Sequence, residues 1–251
     1  MNKIKNLILF LLFGINIQFI VAQPLMFYDA PITIHVETAG TLPKLIAANR
    51  KYQITSLKLT GKLNGTDIKF LREMAGGTPW WTRDKTWGNT KDYDYRDSQA
   101  RLEMLDIQEV DIVSGGDYYY IYKEKYSSNE HDNRNIVENY GTMNNVISDL
   151  MFYDCKKLKF ILLPMNVTRI GKSAFLGTKI EQIHIPKNVT SIGDYAFGTS
   201  VLHIRVNSST PPTISINTFK NVNKQTCKIY TPQGSRDTYW MTWGFDNIVE
   251  R

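Results

Sequence analysis

The amino-acid sequence predicts an α/β repeat solenoid, mostly β, in which short parallel strands stack into a concave sheet. Three observations support this prediction. A motif recurs at a fixed offset, apolar and polar residues alternate at its start, and a strand-ending proline follows each alternating run. One such unit cannot bury its own apolar side, so several units must stack and the ends must be capped.

The repeat is clearest in segments 161–178 and 183–199. Pro164 and Pro186 are 22 residues apart. The same offset relates Asn166 to Asn188, Val167 to Val189, Thr168 to Thr190, Ile170 to Ile192, Gly171 to Gly193, Ala174 to Ala196 and Phe175 to Phe197. Weaker copies occur at 146–152 and 214–219. This number of matches at one offset indicates an internal repeat rather than a biased composition.

The chemistry of one unit follows from its residues. Ile183 and Ile185 alternate with His184, which predicts a short strand with one face inward. Pro186 lacks the N–H that would continue the strand. We expect Phe197 to fill the interior of the unit.

The pattern Ile-x-Ile-Pro-x-x-Val-Thr-x-Ile-Gly-x-x-Ala-Phe resembles that of the BspA-like leucine-rich-repeat proteins. Segment 227–248 resembles the closing cap of that family, and segments 40–46 and 57–76 resemble its opening cap and first repeat. The resemblance covers most of 34–251 and is most specific over 144–251. It implies irregular leucine-rich repeats of about 22 residues, capped at both ends, and adhesion to host matrix or to other cells.

The N-terminus has the pattern of an export signal. Lys3 and Lys5 precede an apolar run that ends at Val21, and Ala22 then precedes Gln23 and Pro24. This predicts cleavage near Ala22. The alternative is an uncleaved membrane anchor. Because no cysteine follows the run, the signal is not of the lipoprotein type, and we expect a secreted or cell-surface protein.

We therefore divide the chain into a signal peptide (1–22), a leader (23–33) and a single leucine-rich-repeat domain (34–251). The domain comprises an N-terminal cap with the first repeat (34–76), repeats (146–226) and a C-terminal cap (227–251). Two long excursions, 77–99 and 114–145, interrupt it. Long loops of this kind are either functional or disordered. Helices are expected at 41–52, capped by Thr41, and at 67–74, capped by Asp67.

Charge and cysteine content exclude several classes of function. The net charge is +6, and loss of Lys3 and Lys5 with the signal would lower it to +4. The charges are interspersed, so we expect no nucleic-acid partner. Cys155 and Cys227 lie about three repeats apart, too far for a disulfide. The sequence contains no recognised nucleophile, phosphate-loop or metalloprotease motif, which predicts a non-catalytic protein without cofactors.

Aromatic residues in the first excursion are candidate ligand-binding residues. Trp80, Trp81 and Trp87 lie there with Tyr93 and Tyr95. Such rings suit sugar faces and protein hot spots. The alternative is that they pack the excursion onto the repeats.

Tyr118, Tyr119 and Tyr120, with Tyr122 and Tyr126, form a second aromatic cluster. Tyrosine-rich segments offer rigid contact area with a polar tip. Local packing is the alternative interpretation.

Two weaker candidates concern histidines and carboxylates. His184 and His203 are expected side by side on the outward face of neighbouring strands, as a polar stripe rather than a metal site, because a metal needs further ligands. Asp92, Asp94 and Asp97 have a spacing that can hold calcium, but a solvated charged loop fits them better.

The sequence as a whole predicts an exported, non-catalytic binding protein for surface adhesion or protein–protein interaction. The alternatives are a glycan-binding accessory protein that uses the first excursion and a structural component of a surface complex. We expect a monomer whose partner is an extracellular protein or glycan. Contact with a membrane is expected only through the signal segment if it stays uncleaved.

Overall fold

The computed structural model describes residues 31–78, 80–84, 91–92, 99–125 and 135–251. The predicted signal segment and most of the predicted leader lie outside these residues. The described part is mostly β, and β1 begins at Ile32, within the predicted leader. The strands are β1 (Ile32–Val36), β2 (Ser56–Leu63), β3 (Trp80–Asp84), β4 (Lys91–Asp92), β5 (Met104–Ile112), β6 (Gly115–Lys125), β7 (Asn135–Thr142), β8 (Val146–Ile147), β9 (Phe160–Leu162), β10 (Arg169–Ile170), β11 (Gln182–Ile185), β12 (Ser191–Ile192), β13 (His203–Val206), β14 (Lys228–Thr231) and β15 (Ile248–Glu250). The helices are α1 (Leu42–Leu45), α2 (Gly65–Met74) and α3 (Arg236–Trp243).

Two four-stranded sheets contain only parallel pairs, in agreement with the predicted parallel sheet. The first has the order β1-β2-β5-β9 and the second has the order β11-β13-β14-β15. The edge strands β9 and β11 contact each other. Just before them, the backbone N–H of Lys179 donates to the carbonyl of Leu158 at 2.9 Å. The two sheets are therefore neighbours along one surface.

The 22-residue offset is visible in the backbone register of a third sheet, β12-β10-β8. Arg169 pairs with Ser191 and Ile170 pairs with Ile192. Ile183 and Ile185 are buried as predicted, and His184 between them is only half-buried. The alternation in sequence therefore corresponds to an inward and an outward face.

A column of phenylalanine rings runs through the core of the repeats. Phe152, Phe175, Phe197 and Phe219 stack with centroid separations of 5.8, 6.3 and 5.6 Å, and neighbouring rings lie within 11° of parallel. Each unit contributes one ring, and each ring covers the face of the next. The predicted interior role of Phe197 is confirmed, since it is fully buried.

Gly171 and Gly193 mark the closest approach between units. A Cβ at Gly171 would lie 2.5 Å from the backbone nitrogen of Asp149, and one at Gly193 would lie 2.6 Å from that of Lys172. No side chain fits at these distances. Glycine is required here because the backbones of neighbouring units nearly touch.

Both N-terminal helices differ from the sequence prediction. The helix expected at 41–52 is only Leu42–Leu45, because the backbone becomes extended at Ile46. The second helix begins at Gly65, and its cap is Asn64 rather than Asp67. Asp67 is the reciprocal partner in a capping box, and its carboxylate also accepts from the backbone of Leu42 at 2.9 Å. One carboxylate thereby joins the starts of both helices.

The two excursions meet in a sheet of their own, which the sequence did not predict. Its order is β4-β3-β6-β7. β6 and β7 are antiparallel, whereas β3 from the first excursion runs parallel to β6. The described parts of both excursions are therefore ordered strands in one layer.

Arg72 of α2 holds this layer to the repeats. Its buried guanidinium donates from Nη1 to the carbonyls of Leu150 and Met151 at 2.9 and 3.0 Å, and from Nη2 to that of Thr78 at 2.6 Å. The guanidinium carbon also lies 4.9 Å from the ring centroid of Tyr120. Carbonyl dipoles and an aromatic face, rather than a carboxylate, stabilise this buried charge.

Cys155 and Cys227 are free and buried. Burial raises the pKa of Cys155 to about 11 and that of Cys227 to about 12. Both thiols are therefore protonated at neutral pH and act as small core residues.

Replacing Phe175 by alanine should remove the middle of the ring column. Because Phe175 is fully buried between two other rings, the variant should lose about 3–5 kcal/mol of unfolding free energy. Urea denaturation followed by circular dichroism measures this loss. The control, Ile216→Ala, alters a side chain that is 97% exposed and should change stability by no more than about 0.5 kcal/mol. Equal effects of the two substitutions would contradict the proposed role of the column.

Candidate functional site

The outward side of the second parallel sheet carries a group of basic and polar residues. We call it the basic face and define it by His184, His203, Arg205, Lys228, Tyr230 and Arg251. His184 lies on β11, His203 and Arg205 on β13, and Lys228 and Tyr230 on β14, where they alternate with buried residues. Arg251 directly follows β15.

The predicted side-by-side arrangement of His184 and His203 is wrong by two residues in the register. His184 pairs with Arg205, and His203 pairs with Gln182. The reason is that Ile204 and Val206 are the inward pair of β13, whereas Leu202 is 40% exposed. His203 therefore shares the outward face with His184 but lies diagonal to it.

Tyr230 is flanked by two guanidinium groups. The guanidinium carbon of Arg251 lies 4.0 Å from the ring centroid of Tyr230, and that of Arg205 lies 5.7 Å from it. The hydroxyl of Tyr230 is 3.4 Å from Nδ1 of His203. A shallow cavity of about 280 Å³ borders Arg205, Tyr230 and Arg251. An aromatic ring between two cations offers both contact area and charge to an incoming ligand.

The arginines and the lysine of the basic face form no ion pairs among the described residues. In the part of the chain that the structure describes, no carboxylate forms an ion pair with Arg205, Lys228 or Arg251. Nε2 of His184 and Nε of Arg205 are buried and likewise have no hydrogen-bond partner there. On the outward side of the first sheet, by contrast, Lys58 pairs with Glu109 at 2.6 Å. The cations of the basic face differ in this respect from Lys58.

His203 is a neutral member of the basic face. Burial lowers its pKa below the ordinary value of 6.5, and the charges of Lys228 and Arg251 lower it further. Glu181 acts in the opposite direction. At neutral pH His203 therefore adds no positive charge to the face.

A second concave region lies between the excursion sheet and the repeats. We call it the tyrosine cleft and define it by Tyr120, Tyr122, Tyr140 and Tyr153 together with Glu138 and Asp149. Its volume is about 610 Å³, within the usual range of ligand pockets. The strand residues Tyr120 and Tyr122 pair with Tyr140 and Glu138, which places all four on one side of the β6–β7 hairpin.

The structure assigns different roles to the tyrosines predicted as ligand-binding residues. Tyr119 is fully buried and its hydroxyl donates to the carbonyl of Asp149 at 2.5 Å, so the packing alternative applies to it. Tyr120 is 2% exposed and forms the floor of the tyrosine cleft. Tyr118 is 54% exposed and lies outside the cleft lining. Tyr126 lies outside the described residues.

The remaining predicted site residues are not tested by the structure. Trp80 and Trp81 belong to β3 by their backbone. Their side chains, like Trp87 and the carboxylates of Asp92, Asp94 and Asp97, lie outside the described residues. Among the residues whose side chains are described, no three histidine, cysteine or carboxylate groups are clustered as metal ligands.

A titration of His203 tests the electrostatics of the basic face. By NMR, its pKa should lie below 6.5; Lys228→Gln should raise it and Glu181→Gln should lower it further. Because the unfolded chain binds this proton more tightly, His203 should reduce stability as the pH falls below about 6.5. A pKa above 6.5 that neither substitution changes would contradict this electrostatic picture.

Comparison with known proteins identifies the repeats. Residues 121–237 match the family described as BspA type leucine rich repeat region, in six copies. A search for similar curated proteins found no match. The described residues contain no helix that is both long and apolar enough to cross a bilayer. This match suggests protein–protein interaction or a role at a surface, and proteins of the matched family are generally non-catalytic and typically exported or surface-located. The resemblance inferred from the repeat motif is therefore confirmed by a match to the BspA-type leucine-rich-repeat family over residues 121–237.

Proposed function

We propose that this chain is an exported, non-catalytic adhesion protein whose basic face binds an acidic segment of another protein. One observation carries the proposal. Arg205 and Arg251 flank Tyr230 on the outward side of a parallel sheet, and neither guanidinium has an ion-pair partner among the described residues.

We further propose that the stacked units form a solenoid that is closed at its C-terminal end. The packing after the last ring of the column supports this view. Phe219 lies 4.9 Å from Trp243 and 5.1 Å from Phe245, measured between ring centroids. Trp243 and Phe245 are buried and pack against Phe219, the last ring of the column. In this account, segment 227–251 is the C-terminal cap.

The sheet suits protein binding because its outward side is extended and rigid. Neighbouring strands are about 4.8 Å apart, so the strands of the second sheet present a strip of similar residues at regular spacing. Inward residues such as Ile204 and Ile229 are fully buried and hold the strands in place. A partner therefore meets side chains carried on a backbone that is already fixed, which lowers the entropic cost of binding.

Charge selects the class of partner. Arginine and tyrosine are over-represented among the residues that dominate protein interfaces. Guanidinium groups form paired hydrogen bonds with carboxylates. An acidic protein segment satisfies both preferences and also supplies counter-charges to Lys228. A sulfated or uronic-acid glycan shares part of this chemistry and is the main competing ligand.

Substituting the two arginines tests the proposed surface. The double variant Arg205→Ala/Arg251→Ala should bind an acidic extracellular-matrix protein at least about tenfold more weakly than the unmodified protein in surface plasmon resonance. The control, Lys44→Ala/Lys220→Ala, removes the same charge from two exposed positions outside the basic face and should leave binding within about twofold. Affinity of the unmodified protein should also fall with added salt.

Three results would count against this function. Equal losses in both double variants would mean that net charge, rather than the basic face, determines binding. Binding to heparin but to no matrix protein would assign the face to acidic glycans. A stable partner that co-purifies with both double variants would favour the structural role in a surface complex.

Export is a separate part of the proposal and rests on the basic and apolar pattern of residues 1–22. Expression in a bacterium with a general secretion pathway should yield extracytoplasmic protein that begins at Gln23, as read by intact-mass spectrometry. Replacing Leu11 and Leu12 with arginine should retain the protein in the cytoplasm, because the apolar core of the signal is broken. If the unmodified chain is found in the cytoplasm with Met1 still present, export by this segment is refuted.

A further inference from the structure

We propose that the tyrosine cleft is a second, independent binding site, and that its ligand is a neutral sugar unit of a glycan. The site is built jointly by the β6–β7 hairpin and by the turns of the repeats at 149–153 and 172–176. It is separate from the basic face in both position along the chain and chemistry.

The aromatic walls of the cleft come from different parts of the chain. The ring centroid of Tyr120 lies 6.0 Å from that of Tyr140 and 5.8 Å from that of Tyr153, and both neighbours are tilted against it. Tyr120 is almost completely buried, so it supports the other two rings rather than contacting a ligand. Tyr122, Tyr140 and Tyr153 remain half-buried and line the opening. Ring surface of this kind packs against the C–H face of a pyranose.

The ring of Tyr120 is itself held in place by Arg72. Arg72 lies against Tyr120 at 4.9 Å, and its Nη1 donates to Leu150 and Met151, which belong to the turn that carries Tyr153. The aromatic walls are therefore fixed before a ligand arrives. Fixed walls favour binding because little side-chain freedom is lost on association.

Polar groups at the cleft are placed to bind sugar hydroxyls. The hydroxyl of Tyr140 donates to the carboxylate of Glu138, which leaves its own oxygen able to accept. Oδ1 of Asp149 accepts from Arg169 at 2.6 Å and from the backbone of Lys172 at 2.9 Å, so its carboxylate is held in one orientation. Carboxylates accept hydrogen bonds from hydroxyl groups and thereby provide specificity.

The balance of charge argues for a neutral ligand. Asp149 is paired with Arg169, and Lys172 lines the same cleft as Glu138. The lining is therefore close to neutral overall, unlike the basic face. An anionic sugar would meet Glu138, and a quaternary ammonium ion would find little net negative charge to stabilise it. The volume of about 610 Å³ also accommodates more than a single small cation.

A glycan array followed by isothermal titration calorimetry tests the proposal on the full chain. The array holds neutral oligosaccharides, sialylated and sulfated oligosaccharides, and choline as the quaternary ammonium probe. The unmodified protein should bind neutral oligosaccharides preferentially. Glu138→Gln should weaken binding of the strongest neutral ligand by about tenfold, since one charged hydrogen-bond acceptor is lost. Tyr153→Ala should weaken it by at least about tenfold, since a wall of the cleft is lost.

Two controls separate this site from folding and from the basic face. Tyr118→Ala alters an exposed tyrosine on the same strand as Tyr120 but outside the cleft lining, and it should leave affinity within about twofold. Arg205→Ala/Arg251→Ala should leave sugar binding unchanged even where it abolishes protein binding. Glu138 is exposed, so Glu138→Gln should retain the melting temperature and remains informative if Tyr153→Ala does not fold.

Specific results would overturn the proposal. These are the absence of neutral-sugar binding on the array, preferential binding of choline or of acidic glycans, and sugar binding that Tyr118→Ala reduces as much as Glu138→Gln does. Loss of sugar binding in the arginine variant would also overturn it, because the ligand would then belong to the basic face.

Discussion

The stacking of one phenylalanine per repeat is the constraint on which the rest of the structure depends. A unit of about 22 residues has too little chain to enclose an apolar core, so its interior ring must be covered by the next unit. The centroid separations of 5.6–6.3 Å along the column fix the spacing of the units. That spacing brings the strands into parallel register and the glycines into contact with the neighbouring backbone. The outward residues of the strands then fall into rows, and one such row contains the basic face.

The excursions add a second constraint, which Arg72 imposes. A buried guanidinium needs several acceptors, and here the carbonyls of 150 and 151 and of Thr78 supply them. These acceptors belong to the repeats and to the start of the first excursion, while the face of Tyr120 belongs to the second. The hydrogen bonds of this one guanidinium therefore draw three segments together. The tyrosine cleft is a consequence of this arrangement, since its supporting ring is the one that Arg72 contacts.

The sequence predicted what is periodic and local. The 22-residue offset corresponds to the pairing of Ile170 with Ile192, and the alternation around His184 corresponds to buried and outward positions. The position of His203 was wrong because Leu202, Ile204 and Val206 are all apolar, and the sequence alone did not reveal which two of them align with Ile183 and Ile185. Only the register with β11 distinguishes them.

Non-local pairing was not predictable in the same way. β3 and β6 are parallel partners from separate excursions, and nothing in either segment specifies the other. Glu138, Tyr140 and Tyr153 were not singled out because each is unremarkable in its own segment. The alternation of Tyr120 with Tyr122, and of Glu138 with Tyr140, was a usable signal for a two-stranded hairpin with one polar-aromatic side. The capping box at Asn64 was also predictable, because Asn64 is a residue type that favours helix caps and the acidic residue Asp67 follows it by three positions.

Together these features support the proposal that the outward side of the second parallel sheet is a binding surface. The most direct test of that claim is an NMR titration of ring-labelled tyrosine protein with a hexaglutamate peptide. We predict that the signal of Tyr230 shifts progressively with peptide, and that the signals of Tyr120 and Tyr153 do not move. An unchanged Tyr230 signal at saturating peptide, or shifts confined to tyrosines outside the basic face, would contradict it.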